Sequence, residues 1–236
     1  MKLFNHCTTG VKMNITFTLL FILALPSIMF AQLSNSKGIE INILNTTPTS
    51  TTIEFILNDY NELAVDVEGT ESMFYSISGS VWLMERGMPQ LPIHRSSIII
   101  PDLAAMNFNI ISAEYTEIET LPVMPSKGHI TRDIDPSTIP FILDDFYSTN
   151  SWYPEETIFI DEPYIVKDLR GTTIQFNPMK YNPAEGKLKI YTRLVVEVYD
   201  ETSKQVVNPF FRNYPLTGTS MEFEDIYKTL FINYGT

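Results

Sequence analysis

The chain has 236 residues, with 16 Lys and Arg against 28 Asp and Glu, and 44% of it is hydrophobic. A net charge of −12 supplies no basic footprint for neutralising phosphates, which argues against a nucleic-acid partner. The apolar content supports a packed core rather than disorder, and a lone cysteine, Cys7, leaves little room for thiol chemistry.

The first element in chain order is an export signal. Lys2 and Lys12 precede an apolar run, Ile15 to Phe30, broken by Thr16, Thr18 and Ser27 and ending in Met29-Phe30-Ala31 before Gln32. A basic start, a short apolar stretch and a small residue at the cut predict a signal peptide over 1–31, cleaved between Ala31 and Gln32. A membrane anchor is the competing reading, but the run is slightly short for a span and Pro26 interrupts it. Met13 is an alternative start that begins a tidier signal.

Cleavage removes Cys7, two lysines and no acid, leaving 205 residues with 14 basic and 28 acidic side chains. The exported part then has no disulfide, no thiol nucleophile and no thiolate ligand. Its imidazoles are His94 and His129. Without a later membrane-length run, the mature chain is expected in the periplasm, secreted or at the cell surface, and not in a membrane.

Strand patterns dominate from Gln32 onward. Ile39–Leu44, Thr51–Leu57, Leu63–Val67, Met73–Ile77, Ser97–Ile100 and Phe108–Ile118 alternate or run apolar at strand length. Thr157–Ile160, Tyr164–Val166 and Thr172–Phe176 follow, then a long segment, Lys187–Tyr199. There Leu188, Ile190, Leu194, Val196 and Val198 share one face, and Lys187, Lys189, Arg193 and Glu197 the other, as in an antiparallel sheet wetted on one side. Asn182-Pro183-Ala184-Glu185-Gly186, after Ile174–Tyr181, reads as the turn of a hairpin.

Only the end reads helical. Phe223, Ile226, Tyr227, Leu230 and Phe231 form one apolar stripe, which predicts a short helix over 222–233 with Ser220 as N-cap. Many short strands and one terminal helix predict an all-β fold, an antiparallel β-sandwich or jelly roll spanning 32–236.

Candidate chemistry is sparse. His94, followed by Arg95 and Ser96, is either a base for a serine nucleophile or an edge-strand histidine, and no nucleophile elbow accompanies it. His129 with Asp133 and Asp135 matches no zinc or calcium spacing, and Asp135-Pro136 reads first as turn chemistry. Asp144-Asp145 and Glu155-Glu156 read as solvated acidic pairs. No catalytic set, metal or cofactor is expected.

The segment Leu121–Asp133 differs from these. A proline-rich approach, one glycine and two cations, Lys127 and Arg132, coincide in an acidic chain, and Pro136 and Pro140 close the stretch. It is either an entropically restrained loop that presents those cations to a partner or an ordinary connection.

Six blocks in order carry a resemblance to a known family. They begin with Gly87-Met88-Pro89-Gln90-Leu91-Pro92-Ile93 and Pro125-Ser126-Lys127-Gly128-His129-Ile130-Thr131-Arg132. Asp135-Pro136-Ser137-Thr138-Ile139-Pro140-Phe141 and Val166-Lys167-Asp168-Leu169-Arg170-Gly171 follow. The last are Tyr181-Asn182-Pro183 leading into Leu188-Lys189-Ile190-Tyr191-Thr192, and Phe223 through Tyr234. From about Gly79 to Tyr234 the chain resembles the N-terminal prodomain of gingipain-type cysteine endopeptidases, nearest the Arg-specific type.

The resemblance implies a β-sandwich prodomain that assists the folding of a gingipain-like catalytic domain and keeps it latent. It implies an inhibitory loop of Ser126, Lys127, Gly128, His129, Ile130, Thr131, Arg132 and Asp133, with Arg132 anchored in the enzyme's acidic specificity pocket. The family's catalytic and C-terminal secretion domains are not in these residues, nor is the family's basic processing residue beyond the helix. A zymogen piece and a stand-alone inhibitor therefore both remain open. A secreted β-sandwich module for adhesion or ligand binding is the reading from another class.

Overall fold

A computed structural model describes residues 38–213, 218 and 220–235. The expected export signal, 1–31, and its cleavage after Ala31 lie outside the described residues. The strands in chain order are β1 (Ile39–Thr46), β2 (Ser50–Leu57), β3 (Asn61–Val67), β4 (Thr70–Ser76), β5 (Val81–Trp82) and β6 (Pro92–Ile99). They continue with β7 (Met106–Glu119), β8 (Ile158–Ile160), β9 (Tyr164–Val166), β10 (Leu169–Phe176), β11 (Met179–Asn182) and β12 (Lys187–Asp200). One helix, α1 (Met221–Leu230), follows.

All of these strand pairings are antiparallel, and they form two five-stranded sheets and one hairpin. In the first sheet β12 is central. β7 runs along one side of it, while β2 and β11 share the other, and β1 pairs β2. In the second, β10 is central between β6 and the short pair β8 and β9, and β5 adds to β6. The hairpin is β3 with β4.

The alternation along β12 sets how the two sheets meet. Leu188, Ile190, Leu194, Val196 and Val198 are all buried, as the sequence pattern requires. They join Ile53 and Phe55 of β2, and Ile98, Ile158, Ile174 and Phe176 of the second sheet, in one cluster. Phe55 and Phe176 touch across the interface with ring centroids 5.1 Å apart. Each such side chain contributes about 1.5–3 kcal/mol by leaving water, so this two-sheet core dominates the stability of the fold.

Two expectations need correction. Ile174–Tyr181 is not one strand: Asn177-Pro178 breaks it, so β10 belongs to the second sheet and β11 to the first. Proline cannot donate to a ladder, and Asn177 fixes the corner by donating its N–H to Thr157 O and its Nδ2 to Glu156 O. Nor does the helix reach residue 233. Phe231 leaves helical geometry at φ −108°, ψ 118° and bridges Ser97 in parallel. Ile232 N–H then donates to Ser97 O, and the Asn233 amide exchanges two hydrogen bonds with the backbone of Ile99. The last residues thus cover the side of β6 that faces away from β10.

Candidate functional site

The loop at 126–133 is built from its two stems. The stretch Val123–Ser126 lies as an extra strand between β4 and residues 87–90. Met124 N–H donates to Met73 O and Gln90 N–H to Met124 O, while Ser126 and Met88 pair through Ser126 N–H and Met88 O. Pro122 and Pro125 fit here because the rungs that hold the strand use the amides of Met124 and Ser126.

Ser126 is fully buried, and its Oγ accepts Gly128 N–H at 3.0 Å. Gly128 has φ +83°, and a Cβ there would sit 3.2 Å from Arg86 Cβ. Glycine therefore turns the chain outward at that point. Beyond it His129 and residues Thr131 to Thr138 are exposed, and Ile130 is half-buried. Thr131 O accepts Ile134 N–H at 3.1 Å, so a tight turn centres on Arg132 and Asp133. Asp135 caps the single 3-10 turn Pro136–Thr138 through Ser137 N–H, a bond that also holds its carboxyl below the usual range.

The returning stem is fixed twice. Phe141 N–H donates to Glu68 Oε1 at 3.1 Å, and Asp144 N–H donates to Gly87 O at 3.1 Å. Gly87 also donates its own N–H to Ser126 O at 2.9 Å. One residue thus holds both ends of the loop. Gly87 has φ +87°, and a Cβ there would meet Asp144 N at 3.3 Å.

The two cations of the loop have different surroundings. Lys127 Nζ donates to Pro136 O at 2.9 Å and lies 4.3 Å from the centroid of the Phe141 ring, so it tethers the loop to itself. Arg132 is exposed at the turn and has no hydrogen bond, ion pair or ring contact among the described residues. Apolar side chains flank the loop: Ile134, Ile142 and Leu143 are exposed, Leu143 by 62%.

The remaining candidates fall elsewhere. His94 Nε2 is 3.1 Å from Ser96 Oγ, but Nδ1 is buried with no partner, so no carboxylate orients the ring as a triad requires. His129, Asp133 and Asp135 do not converge: among the described residues no group of three or more His, Cys, Asp or Glu side chains could hold a metal. Asp144 caps the 3-10 turn Asp145–Ser148, and Glu155 and Glu156 each offer a backbone carbonyl to a neighbour.

One feature escaped the sequence patterns. An open groove of about 710 Å³ is lined by Phe146, Trp152, Tyr153, Tyr191, Lys180 and Lys189, among others. Lys180 donates to Glu155 O at 2.6 Å, and burial pushes its ammonium below the usual lysine range. Lys189 lies 4.4 Å from the Trp152 ring and pairs with Glu117 at 3.3 Å.

The described residues thus form a two-sheet antiparallel domain with a docked terminal helix and one braced loop. The chain belongs to the Propeptide_C25 family, whose model matches residues 33–231. It is 34% identical over 212 residues to Gingipain R1 and 30% identical over 213 residues to Gingipain R2, both of Porphyromonas gingivalis. Each match takes in 89% of this chain but 21% and 28% of the relative, so the chain spans less than a third of their length.

The fold agrees with a solved complex of the RgpB pro- and mature domains of Porphyromonas gingivalis, at TM-score 0.74 and 27% identity. That match covers 83% of this chain and 98% of the other. A structure concerning zymogenic latency of gingipain K from the same organism shares the fold at TM-score 0.61 and 19% identity, covering 72% and 96%. The chain is therefore a propeptide domain of that family, with the fold of the RgpB prodomain.

Proposed function

We propose that the chain is the folding assistant and inhibitor of a gingipain-like cysteine endopeptidase, holding its catalytic domain latent with Arg132 in the acidic specificity pocket. The observation that carries this reading is the contrast within the loop. Lys127 is held by Pro136 and Phe141, whereas Arg132 stands exposed and unpaired among the described residues. A guanidinium held bidentately by a carboxylate in a desolvated pocket is a strong and specific anchor. The relatives named Gingipain R1 and R2, and the RgpB pro- and mature-domain complex, support a catalytic domain as partner and export as destination.

The aromatic groove favours the second reading, a ligand-binding module. Against it, Lys189 already occupies one face of Trp152, which reduces the ring surface on which a sugar or base could stack.

The test titrates wild type, Arg132→Ala and Arg132→Lys against an Arg-specific gingipain-type peptidase, with circular dichroism as the folding control. Arg132→Ala leaves the pocket carboxylate unpaired and should lose about 2–5 kcal/mol, roughly 30- to several-thousand-fold in inhibition constant. Arg132→Lys should lose less, since the charge stays while the planar fork goes. Equal inhibition by wild type and Arg132→Ala removes the anchor role.

A further inference from the structure

Each cation of β12 has a carboxylate beside it. Lys187 pairs with Glu185 at 3.2 Å, Lys189 with Glu117 at 3.3 Å, and Arg193 with both Glu54 and Glu114. Lys180 of β11 is different. It stands directly opposite Lys189 in the ladder, where like charges repel, and it forms no ion pair among the described residues. It is also only 8% exposed. Its ammonium has three donors, and one is used, on Glu155 O at 2.6 Å. Burial pushes that ammonium below the usual lysine range, against the opposing pull of the Glu155 and Glu156 carboxylates. A buried cation with open donors and a like charge opposite it works against the fold, so packing gives no reason for the charge.

Both lysines line the aromatic groove, with Phe146, Trp152, Tyr153 and Tyr191 as its walls. The groove shares its base with the loop that carries Arg132. Asp144, held by Gly87 O, caps the 3-10 turn that places Phe146. Tyr153 Oη donates to Glu85 Oε2 at 3.4 Å, two residues before Gly87. Ile142 and Leu143, both exposed, lie in the chain between the loop and this turn. We propose that the groove is a second docking point for the peptidase domain, taking an acidic side chain of that partner between Lys180 and Lys189. Two ammoniums with an open donor call for a carboxylate, and apolar residues beside it would pack on Phe146 and Tyr153. Lys189 over Trp152 leaves less ring for a sugar, whereas an open groove admits a peptide segment. The proposal rests on the reading of the chain as an inhibitor of that domain, but not on the role of Arg132.

The test measures inhibition constants of wild type, Lys180→Met and Lys189→Glu against an Arg-specific gingipain-type peptidase, and denaturation midpoints of the same proteins. Lys180→Met keeps the apolar stem and removes the charge. It should inhibit about tenfold more weakly, the size of one lost charge-assisted hydrogen bond. Its midpoint should be unchanged or raised, because a buried charge has gone. A purely structural lysine would instead lower the midpoint. Lys189→Glu places a like charge against the partner's acid and should weaken inhibition at least as much; it carries the test if Lys180→Met does not fold. Both losses should persist in an Arg132→Ala background. Acetylation of Lys189, followed by mass spectrometry, should slow severalfold when the peptidase domain is added. Folded variants that inhibit as well as wild type, or acetylation of Lys189 at an unchanged rate, overturn the proposal. Failure of wild type to inhibit removes the inhibitor reading, and the acetylation rate with the peptidase domain then decides the groove by itself.

Discussion

His94 has two ring nitrogens in different circumstances: Nε2 meets the Ser96 hydroxyl, and Nδ1 is buried without a partner. Burial holds the imidazole below its ordinary pKa of 6.5, so the folded chain resists a proton that the unfolded chain accepts. Stability from this residue is therefore full above about pH 6.5 and declines as pH falls toward the depressed folded value, levelling off below it. Thermal melts of wild type and His94→Gln from pH 8 to 5 should show a constant difference at the alkaline end that turns against wild type in acid. A difference independent of pH would mean that the folded and unfolded imidazoles titrate alike. The sequence supplied this histidine as an edge-strand residue, but the orphaned nitrogen is a property of the packed strands β6 and β10 and leaves no trace in local spacing.

At the scale of elements, β12 shows how far periodicity reaches. Its five alternating apolar residues are all buried, as a strand with one solvated face requires, and Val195 of the opposite face is buried beside them. The helix stripe reaches less far. Tyr227 is buried as expected, yet Ile226 is exposed, and Phe231 leaves the helix to pack in a site with no local signal. That site is Gly171 on β10, where a Cβ would stand 2.4 Å from Phe231 Cε1 and 3.0 Å from Ile98 O. Tyr164 stacks on the Phe231 ring with centroids 6.3 Å apart. Gly171→Ala should therefore displace the ring, cost about 1–3 kcal/mol by overpacking and release the Ile232 amide from Ser97. Faster hydrogen exchange at Ile232 checks this, and unchanged exchange would show that the ring re-seats. The corner at Asn177-Pro178 was carried by its proline, but the change of sheet depends on partners far along the chain.

At the scale of the whole molecule, Arg170 joins segments far apart in the chain. Its guanidinium is fully buried and donates to Pro101 O, Ala104 O, Val207 O and Asn208 O, so it ties β10 to two irregular segments at once. Removing it leaves several carbonyls unsatisfied, and Arg170→Ala should cost about 3–5 kcal/mol in chemical denaturation. Arg170→Lys should recover only part of this, because one ammonium cannot span four acceptors. A loss below about 1 kcal/mol would indicate that water replaces the guanidinium. The candidate loop was legible in outline from its prolines, Gly128 and two cations. That Lys127 is tied down and Arg132 is not could not be read there, because Phe141 and Gly87 reach the loop from outside its own residues.

Both stems of that loop end on the peptide units flanking one α-carbon, Gly87. The loss of conformational freedom in arranging residues 127–143 is thus met when the domain folds, not when a partner arrives. A preorganised ligand of this kind binds tightly for its contact area. It also makes affinity a gauge of the fold: a substitution remote from Arg132 that frees either stem lowers the fraction of molecules ready to bind. The measured dissociation constant then rises in inverse proportion to that fraction, with every contact to the partner intact.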